Sequence, residues 1–415
     1  GEVLGACTDC RRLWGKFRAG EMDGDEIERV NERLAPTQGT CMVMGTASTM
    51  ACIAEALGMT LPGSAAIPTT HADRIRSAES TGKQAVVLAK KGPKPSQILT
   101  RGAFDNALTV LQAIGGSTNG LVHLTAVAGR RGIKIDLDAF HEIGRKVPVL
   151  LDLKPSGQHY MEDFHWAGGL PRLMKEIAGE LDLTARTVAG GTIADYLAAA
   201  EDVKGQTVIR PRANPLKKTG AMATLTGNLA PRGAVIKQSA ASPELMNHTG
   251  RAVVFDSVED MTRRIDDPKL DVKPGDVLVL RNAGPKGAPG MPEAGYLPIP
   301  RKLLRQGVKD MVRISDARMS GTAFGTIVLH IAPEAAVGGP LALVKSGDRI
   351  KLDVKGRRID LLVDEAELKR RRAAYKPRKA PPGSERGYAG LFQKCVLQAD
   401  EGCDFDFCVP GRGAA

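Results

Sequence analysis

The spacing of hydrophobic and polar positions first predicts helices in the N-terminal half of the chain. Acidic residues at 23–26 are followed by apolar residues every three or four positions, which predicts a helix that ends before Pro36. Apolar positions within 50–59 follow the same period, and Ser48 and Thr49 can cap that helix. Further helices are predicted at 104–114, 121–128, 170–181 and 193–200.

Two short apolar runs in the same half, 85–89 and 147–151, predict strands. Strands that alternate with helices are typical of a sheet covered on its faces by helices. Residues 1–208 are therefore predicted to form an α/β domain with a helix-covered sheet.

The pattern changes near 209–215, where arginine and proline residues interrupt the apolar periodicity. Short strands separated by turn residues are predicted after this segment, at 233–237, 252–255, 276–281 and 326–330. Residues 349–354 alternate polar and apolar side chains before a turn into 359–363, which predicts a hairpin. Residues 209–415 are therefore predicted to form a β-rich, barrel-like domain with a final helix near 388–397.

Composition fits a globular protein of two or three domains, because 415 residues exceed one ordinary core and 42% of them are hydrophobic. There is no run of 18 or more apolar residues, and the N-terminus lacks a basic region followed by an apolar stretch. Neither a membrane span nor a secretory signal is predicted. Seven cysteines without an export signal indicate free thiols in a reducing cytoplasm.

The net charge of +11 favours anionic partners. Much of the excess lies in one run, formed by Lys369, Arg370, Arg371, Arg372, Lys376, Arg378 and Lys379. Only one aromatic residue, Tyr375, interrupts this run, and the chain has no recognisable nucleic-acid-reading motif. We interpret the run as a solvated helix end and a linker, and we expect no nucleic-acid partner.

Cys41 lies in a Gly/Thr-rich loop shortly before a predicted helix, where backbone N–H groups and the helix dipole favour the thiolate. Spacing alone leaves three interpretations open, namely a nucleophile, a metal–sulfur ligand or a small buried side chain. Cys52 has apolar neighbours on the helix and is predicted to pack in the core. Cys7 and Cys10 have the spacing of a metal half-site, but no matching second pair follows, so we do not assign them to a metal.

Two other segments combine a restricted backbone with a reactive side chain. Three prolines and three glycines in 284–293 hold the terminal carboxylate of Glu293 in place, as a hard-cation ligand requires, although the local sequence slightly favours a stiff surface loop that ends in a solvated glutamate. Ser320 precedes Gly321, which fits a reactive serine on a tight turn. No histidine partner can be assigned to Ser320, so a nearby divalent cation would have to activate it, and an ordinary turn is the alternative.

Ordered sequence blocks along nearly the whole chain resemble the dihydroxy-acid dehydratase/phosphogluconate dehydratase family. The blocks are 39–50, 61–68, 114–119, 167–171, 226–231, 287–293, 315–322 and 332–340. The resemblance implies a hydro-lyase that removes water from a 2,3-dihydroxy acid and yields a 2-keto acid after tautomerisation. It also implies a homodimer or a homotetramer of paired dimers.

The resemblance assigns roles to three residues. In the family, three cysteines hold a [2Fe-2S] cluster, or a [4Fe-4S] cluster in some members, and Cys41 matches the third of them. Glu293 matches a Mg²⁺ ligand, and Ser320 matches the serine that acts as a base in its alkoxide form. These assignments suit the reaction, because Mg²⁺ stabilises the charge left at C2 and an open iron position can act on the C3 hydroxyl as a Lewis acid.

The family's first two cluster cysteines, a Mg²⁺-binding aspartate and a carbamylated lysine precede the segment that matches Gly1. We therefore expect an N-terminal truncation, and we expect that this chain alone does not assemble the metal sites. A stoichiometric cluster bound to the chain would refute that expectation.

The segments 41–47 and 387–407 look more like the sugar-acid (pentonate) dehydratases than the branched-chain amino-acid enzymes. We therefore expect an aldonate substrate such as arabinonate or xylonate. One alternative is the dihydroxy-acid dehydratase of valine and isoleucine synthesis. The other is a non-catalytic, truncated paralogue that binds a partner or an acidic ligand.

Overall fold

The structure, a computed structural model, describes residues 4–35, 37–378, 380 and 382–411. Its contacts divide the chain into two compact units. The first unit comprises the chain up to Trp14 together with Gly24–Leu124 and Ala139–Ala221. The second comprises Gly15–Asp23, Thr125–Asp138 and the chain from Met222 onward. The predicted domain boundary at 208/209 stays a prediction.

The helices of the described residues occur mainly in the first half of the chain, as their spacing predicted. In chain order they are α1 (Ala6–Ala19), α2 (Gly24–Asn31), α3 (Thr46–Ala56), α4 (Ala72–Lys91), α5 (Pro95–Ile98), α6 (Arg101–Ala113), α7 (Thr118–Arg130), α8 (Leu137–Lys146), α9 (Met161–Trp166), α10 (Gly169–Glu176), α11 (Ile193–Ala198), α12 (Val258–Arg264), α13 (Arg301–Leu304), α14 (Glu365–Ala374) and α15 (Gly387–Cys395). The helices predicted at 104–114, 121–128 and 193–200 are confirmed within a few residues. Pro36 lies outside the described residues.

Two local predictions for this half are wrong. The apolar run 85–89 lies inside α4 and is not a strand, because no turn residue bounds the run and its neighbours favour a helix. The helix predicted from residue 50 begins at Thr46, so Ser48 and Thr49 lie within its first turn. Among the described residues, the helix-covered sheet predicted for residues 1–208 is not found either. The predicted strand at 147–151 pairs only through isolated bridges, Val149 with Lys217 and Leu151 with Ile209, and the strands that the structure describes begin at Ala223.

The centre of the first unit is α6, whose side chains from residue 106 to residue 113 are all buried. Thr100 caps this helix, because its side chain accepts a hydrogen bond from the N–H of Ala103 at 3.4 Å. Helix α6 packs against α3. The loop that precedes α3 and the loop that follows α6 are therefore both attached to buried, well-packed helices.

The second unit contains one mixed sheet. Its strands are β1 (Ala223–Leu225), β2 (Gly233–Ile236), β3 (Asn247–Phe255), β4 (Val277–Leu280), β5 (Arg313–Ser315), β6 (Ile327–Ala332), β7 (Arg349–Asp353) and β8 (Arg358–Leu361). Their order in the sheet is β1-β2-β6-β5-β4-β3-β7-β8. Strands β3, β4, β5 and β6 pair in parallel, whereas the outer pairs are antiparallel. The predicted hairpin is confirmed as β7 and β8.

The two ends of this sheet meet at a single bridge between Thr226, just after β1, and Arg358 in β8. The sheet is therefore nearly closed, which confirms the predicted barrel-like character and the α/β class of the chain. Both faces of the central strands are buried. In β4, Val277 and Val279 join one apolar cluster while Leu278 and Leu280 join another, which explains why the strand is apolar throughout.

The basic run lies mainly on α14, as interpreted from the sequence. Lys369 and Arg370 are exposed, whereas Arg371 is mostly buried and pairs with Asp348 and Glu367. Lys379 lies outside the described residues. Among the helices that the structure describes, none is both long and apolar enough to cross a membrane.

Candidate active site

Cys41 lies in the loop that leads into α3, as expected. Hydrogen bonds hold this loop on both sides, because the N–H of Met44 donates to Lys154 O at 2.9 Å and the N–H of Met161 donates to Met42 O at 2.7 Å. The buried hydroxyl of Ser48 donates to Cys41 O at 3.1 Å and to Val43 O at 3.0 Å. The loop conformation is therefore fixed by groups in the surrounding fold.

The surroundings of Cys41 favour its thiolate. A side-chain hydrogen bond with Cys7 and backbone N–H groups of the loop lower the pKa of Cys41 to about 6, although partial burial opposes this shift. Cys7 thus lies beside Cys41, a contact that the sequence alone did not indicate. Cys52 is fully buried, as predicted, and burial raises its pKa. Burial also raises the pKa of Cys10.

Two of the sequence blocks meet at the start of α3. The hydroxyl of Thr46 lies 3.0 Å from that of Ser117 and accepts a hydrogen bond from Asn119 Nδ2 at 2.9 Å. The N–H of Ser117 donates to the hydroxyl of Thr49 at 3.0 Å. These buried polar contacts connect the loop after α6 to the helix that follows Cys41.

Glu293 and Ser320 lie in the second unit, on loops that follow neighbouring parallel strands. Glu293 is exposed in the loop after β4, and Ser320 is half-buried in the loop after β5. Because β4 and β5 pair in parallel, their carboxyl ends lie at the same edge of the sheet, where ligands bind in many α/β folds.

Hydrogen bonds join these two loops through Arg318. Its Nε donates to Met291 O at 2.5 Å, and its carbonyl oxygen accepts from the N–H of Gly295 at 2.9 Å. Both contacts lie within two residues of Glu293 in the sequence, and Arg318 is two residues before Ser320. The structure therefore brings the predicted Mg²⁺ ligand and the predicted base onto two connected loops.

Two buried carboxylates hold the start of the Gly/Pro-rich loop. Asp316 accepts hydrogen bonds from the N–H groups of Asn282 and Ala283 at 3.1 and 3.0 Å. Glu334 accepts from the N–H groups of Lys286 at 3.0 Å and Gly287 at 2.9 Å. Burial raises the pKa of Asp316 to about 7, and its backbone donors oppose this shift only in part.

The hydroxyl of Ser320 has its nearest recorded partners in Thr322. The two hydroxyl oxygens are 2.9 Å apart, and the N–H of Thr322 donates to Ser320 Oγ at 3.4 Å. The intervening carbonyl, Gly321 O, accepts a hydrogen bond from the buried Lys237 Nζ at 3.1 Å. The N–H of Thr322, together with its hydroxyl when that hydroxyl donates, would stabilise a negative oxygen at Ser320.

The described residues include side chains that can bind metals, but they do not form a complete set of ligands for a metal ion. Among the described residues, no three His, Cys, Asp or Glu side chains come close enough together to hold a metal ion. A thiolate at Cys41 suits an iron–sulfur cluster, and an exposed carboxylate at Glu293 suits Mg²⁺. Among the described residues, Cys41 is thus a candidate ligand of the cluster and Glu293 a candidate ligand of Mg²⁺.

Two family models together match most of the chain. The dihydroxy-acid/6-phosphogluconate dehydratase N-terminal model matches residues 2–196, and the corresponding C-terminal model matches residues 207–403. The chain belongs to this dehydratase family. The suspected resemblance is thus confirmed, and the protein is a hydro-lyase by family membership.

Three relatives illustrate the range of named activities in this dehydratase family. The L-arabinonate dehydratase of Rhizobium leguminosarum bv. trifolii is 48% identical over 100% of this chain and 72% of that protein. The 6-deoxy-6-sulfo-D-gluconate dehydratase of Pseudomonas putida is 47% identical over 99% of this chain and 71% of that protein. The dihydroxy-acid dehydratase of Carboxydothermus hydrogenoformans is 42% identical over 94% of this chain and 70% of that protein.

Sequence reasoning missed several residues that surround the predicted ones in this dehydratase. Cys7, Lys237 and Glu334 contact the predicted site segments, yet none was singled out as a site residue. Lys237 and Glu334 are 84 and 48 residues from their partners in the sequence, so no local pattern reveals these contacts. A lysine placed directly after the apolar strand β2 is the one signal that could have drawn attention.

Proposed function

We propose that this dehydratase removes water from a sugar acid of the aldonate class and yields a 2-keto-3-deoxy acid. Ser320 would act as the base. The observation that carries this proposal is the position of Ser320. Its Oγ lies 2.9 Å from the hydroxyl oxygen of Thr322 and accepts a hydrogen bond from the N–H of Thr322 at 3.4 Å, and its loop is hydrogen bonded to the loop of Glu293.

We further propose that Cys41 is one ligand of an iron–sulfur cluster and that Glu293 is one ligand of Mg²⁺. When bound, these groups would supply the Lewis acidity that makes the C3 hydroxyl a leaving group and stabilises negative charge near C2. The low pKa of Cys41 supports its part, because a cluster ligand must be deprotonated. The rigid, proline-rich loop supports the part of Glu293.

In the proposed reaction, the oxygen of Ser320 takes the proton from C2. The electron pair of that C–H bond forms the C2–C3 double bond, and the C3 hydroxyl leaves with its bonding pair as hydroxide. The hydroxyl of Ser320 returns the proton to this hydroxide, which is released as water, and the oxyanion of Ser320 is restored. The resulting enol tautomerises to the 2-keto acid. The hydroxyl and N–H of Thr322 would stabilise the oxyanion of Ser320 before the proton is transferred.

The preference for a sugar acid rests on the relatives. Proteins named for arabinonate and for a sulfogluconate are 47–49% identical to this chain, whereas proteins named dihydroxy-acid dehydratase are 41–42% identical to it. The amino-acid pathway enzyme is the second candidate, and a non-catalytic paralogue is the third. A homodimer or homotetramer remains our prediction for the assembly.

The test is 2-keto-acid formation by the full-length holoenzyme, purified without oxygen and supplied with Mg²⁺. Arabinonate, xylonate, gluconate and 2,3-dihydroxyisovalerate are compared side by side. We expect highest turnover with an aldonate, and a loss of about 10²–10⁴-fold in kcat for Ser320→Ala, because a general base is removed. Ser384→Ala, in a turn outside the site, is the matched control and should retain full activity.

Each other result has a definite meaning. Preference for 2,3-dihydroxyisovalerate would assign the protein to branched-chain amino-acid synthesis. Full activity of Ser320→Ala would exclude Ser320 as the base. No turnover of any substrate by the cofactor-loaded protein would favour the non-catalytic paralogue.

A further inference from the structure

Lys237 is the least expected side chain near the proposed base. It follows β2 directly and is 1% exposed, which is rare for lysine because its ammonium group loses hydration on burial. Within the part of the chain that the structure describes, no carboxylate forms an ion pair with it. Its recorded hydrogen bond is the one from Nζ to Gly321 O, at 3.1 Å.

This contact is connected to Ser320 through one peptide group. The carbonyl oxygen of Gly321 and the N–H of Thr322 belong to the same peptide unit, and that N–H donates to Ser320 Oγ at 3.4 Å. A cation at the carbonyl oxygen draws electron density from the peptide nitrogen and makes the N–H a stronger donor. Consecutive hydrogen bonds reinforce one another in this way, most of all at low dielectric.

Neighbouring contacts fix the relative positions of Lys237 and the serine loop. The N–H of Gly325 donates to Ala240 O at 2.8 Å, and the N–H of Ser242 donates to the hydroxyl of Thr326 at 3.1 Å. The segment after β2 is therefore hydrogen bonded to the loop after Ser320 at points beyond the lysine itself. The ammonium group is held where it can act only on this turn.

We propose that Lys237 is a positioning residue that favours the oxyanion form of Ser320, through the Gly321–Thr322 peptide. This inference rests on the proposed role of Ser320 as the base. Lys237 itself does not touch the reacting atoms in this arrangement. It sets the geometry of the turn and the donor strength of the Thr322 N–H.

Burial agrees with this arrangement, because it lowers the pKa of Lys237 to about 7. Both the cation and the neutral amine are then populated near neutral pH. A new negative charge on Ser320 Oγ would favour the cation, and the cation would in turn favour the charge.

The experiment replaces the serine by a group whose ionisation can be followed without cofactors or turnover. In Ser320→Cys, the thiol at position 320 is alkylated with iodoacetamide at a series of pH values. Mass spectrometry of the peptide that contains this position gives the alkylation rate of this thiol separately from the rates of the native cysteines. We expect a thiol pKa below the ordinary value of about 8.5 in the folded protein, and a return to that value in urea.

The second variant adds Lys237→Met, which keeps the length of the side chain and removes the amine. We expect the thiol pKa to rise by about one unit, which corresponds to about tenfold slower alkylation below both pKa values. Lys351→Met, on the exposed side of β7, is the matched control and should leave the rate unchanged. Lys237→Arg, which retains a cation, should recover part of the effect if the turn accommodates its larger head group.

The outcomes separate this inference from the proposed function. An unchanged thiol pKa in folded Lys237→Met would overturn the inference, even if Ser320→Ala has lost activity. An ordinary thiol pKa in Ser320→Cys alone would also overturn it, and this measurement holds even if Lys237→Met does not fold. A shifted pKa together with full activity of Ser320→Ala would leave the inference about Lys237 intact and refute the assignment of the base.

Discussion

At the scale of single residues, the buried Glu334 holds the start of the proposed Mg²⁺ loop. Its carboxylate is almost fully buried and accepts hydrogen bonds from two backbone N–H groups and from Gln398 Nε2, the last at 2.7 Å. Gln398 Oε1 in turn accepts from the N–H of Glu334 at 2.9 Å. Hydrogen-bond donors of the backbone and of Gln398 therefore surround this buried carboxylate.

We predict that Glu334→Ala lowers the free energy of unfolding by about 3 kcal/mol, because it leaves several buried donors without an acceptor. Glu365→Ala is the control, since Glu365 is exposed and pairs only with the exposed Lys369, and it should change stability by less than about 0.5 kcal/mol. Chemical denaturation followed by circular dichroism measures both. Equal effects of the two substitutions would contradict a structural role for the buried carboxylate.

The same residues show how far a sequence can reveal a site. Cys41, Glu293 and Ser320 could be found because each lies in a stretch rich in glycine, proline or small polar residues, which restricts the backbone locally. Lys237 and Glu334 could not be found in this way. Their roles come from partners far along the chain, and those pairings depend on the strand order of the sheet.

At the scale of elements, the parallel pairing of β4 with β5 is what brings the two predicted site loops together. These strands could be predicted because they are short, apolar and bounded by turn residues. Residues 85–89 of helix α4 could not be distinguished from a strand by sequence, because a five-residue apolar run fits both the helical and the strand period. Parallel pairing itself has no local signal, so the meeting of the two loops required the structure.

Gly227, in the turn between β1 and β2, shows how closely the ends of the sheet approach. Its φ is +156°, and a Cβ at this position would lie 2.1 Å from the backbone oxygen of Ile359 in β8. We predict that Gly227→Ala lowers the free energy of unfolding by about 2–4 kcal/mol, because backbone atoms cannot yield as a flexible side chain can. Chemical denaturation followed by circular dichroism measures the change.

The control for that prediction is Gly275→Ala, because a Cβ there meets nothing within 4 Å. It should change stability by less than about 0.5 kcal/mol. Hydrogen exchange of peptides from β1 and β8 locates the effect, which should appear as faster exchange where the sheet ends meet. Unchanged exchange in both strands would show that the bridge at Thr226 does not hold the sheet closed.

At the scale of the whole molecule, many charges lie in ion pairs, and the exposed pairs among them contribute little to stability. Two buried groups have a larger influence on its pH dependence. Burial raises the pKa of Asp316 to about 7 from 3.8, with the nearby charge of Glu334 adding to the shift, and burial lowers that of Lys237 to about 7 from 10.5. The two groups change the stability of the folded protein with pH in opposite directions.

The folded protein keeps the proton of Asp316 between pH 3.8 and about 7, while the unfolded chain has lost it, so this contribution to stability falls as pH rises through that range. The unfolded chain keeps the proton of Lys237 between about 7 and 10.5, while the folded protein has lost it, so this contribution rises with pH there. Together the two groups predict a minimum in the free energy of unfolding near pH 7. On either side of it, the free energy of unfolding should change by at most about 1.4 kcal/mol per pH unit for each group.

Urea-dependent hydrogen exchange of peptides from β2 and β5, measured between pH 5 and pH 9 and corrected for the intrinsic exchange rate, tests this prediction within the second unit. In a plot of stability against pH, Asp316→Asn should flatten only the part below pH 7 (the acidic limb), because the amide does not titrate. Lys237→Met should flatten only the part above pH 7 (the basic limb). Each variant therefore serves as the control for the other. If both limbs persist in both variants, other groups set the pH dependence. If only the basic limb depends on Lys237, the amine titrates near neutral pH where it contacts the Ser320 turn. The alkylation rate of the thiol at position 320 should then fall, over the same pH range, below the rate expected for a thiol that titrates with a single pKa.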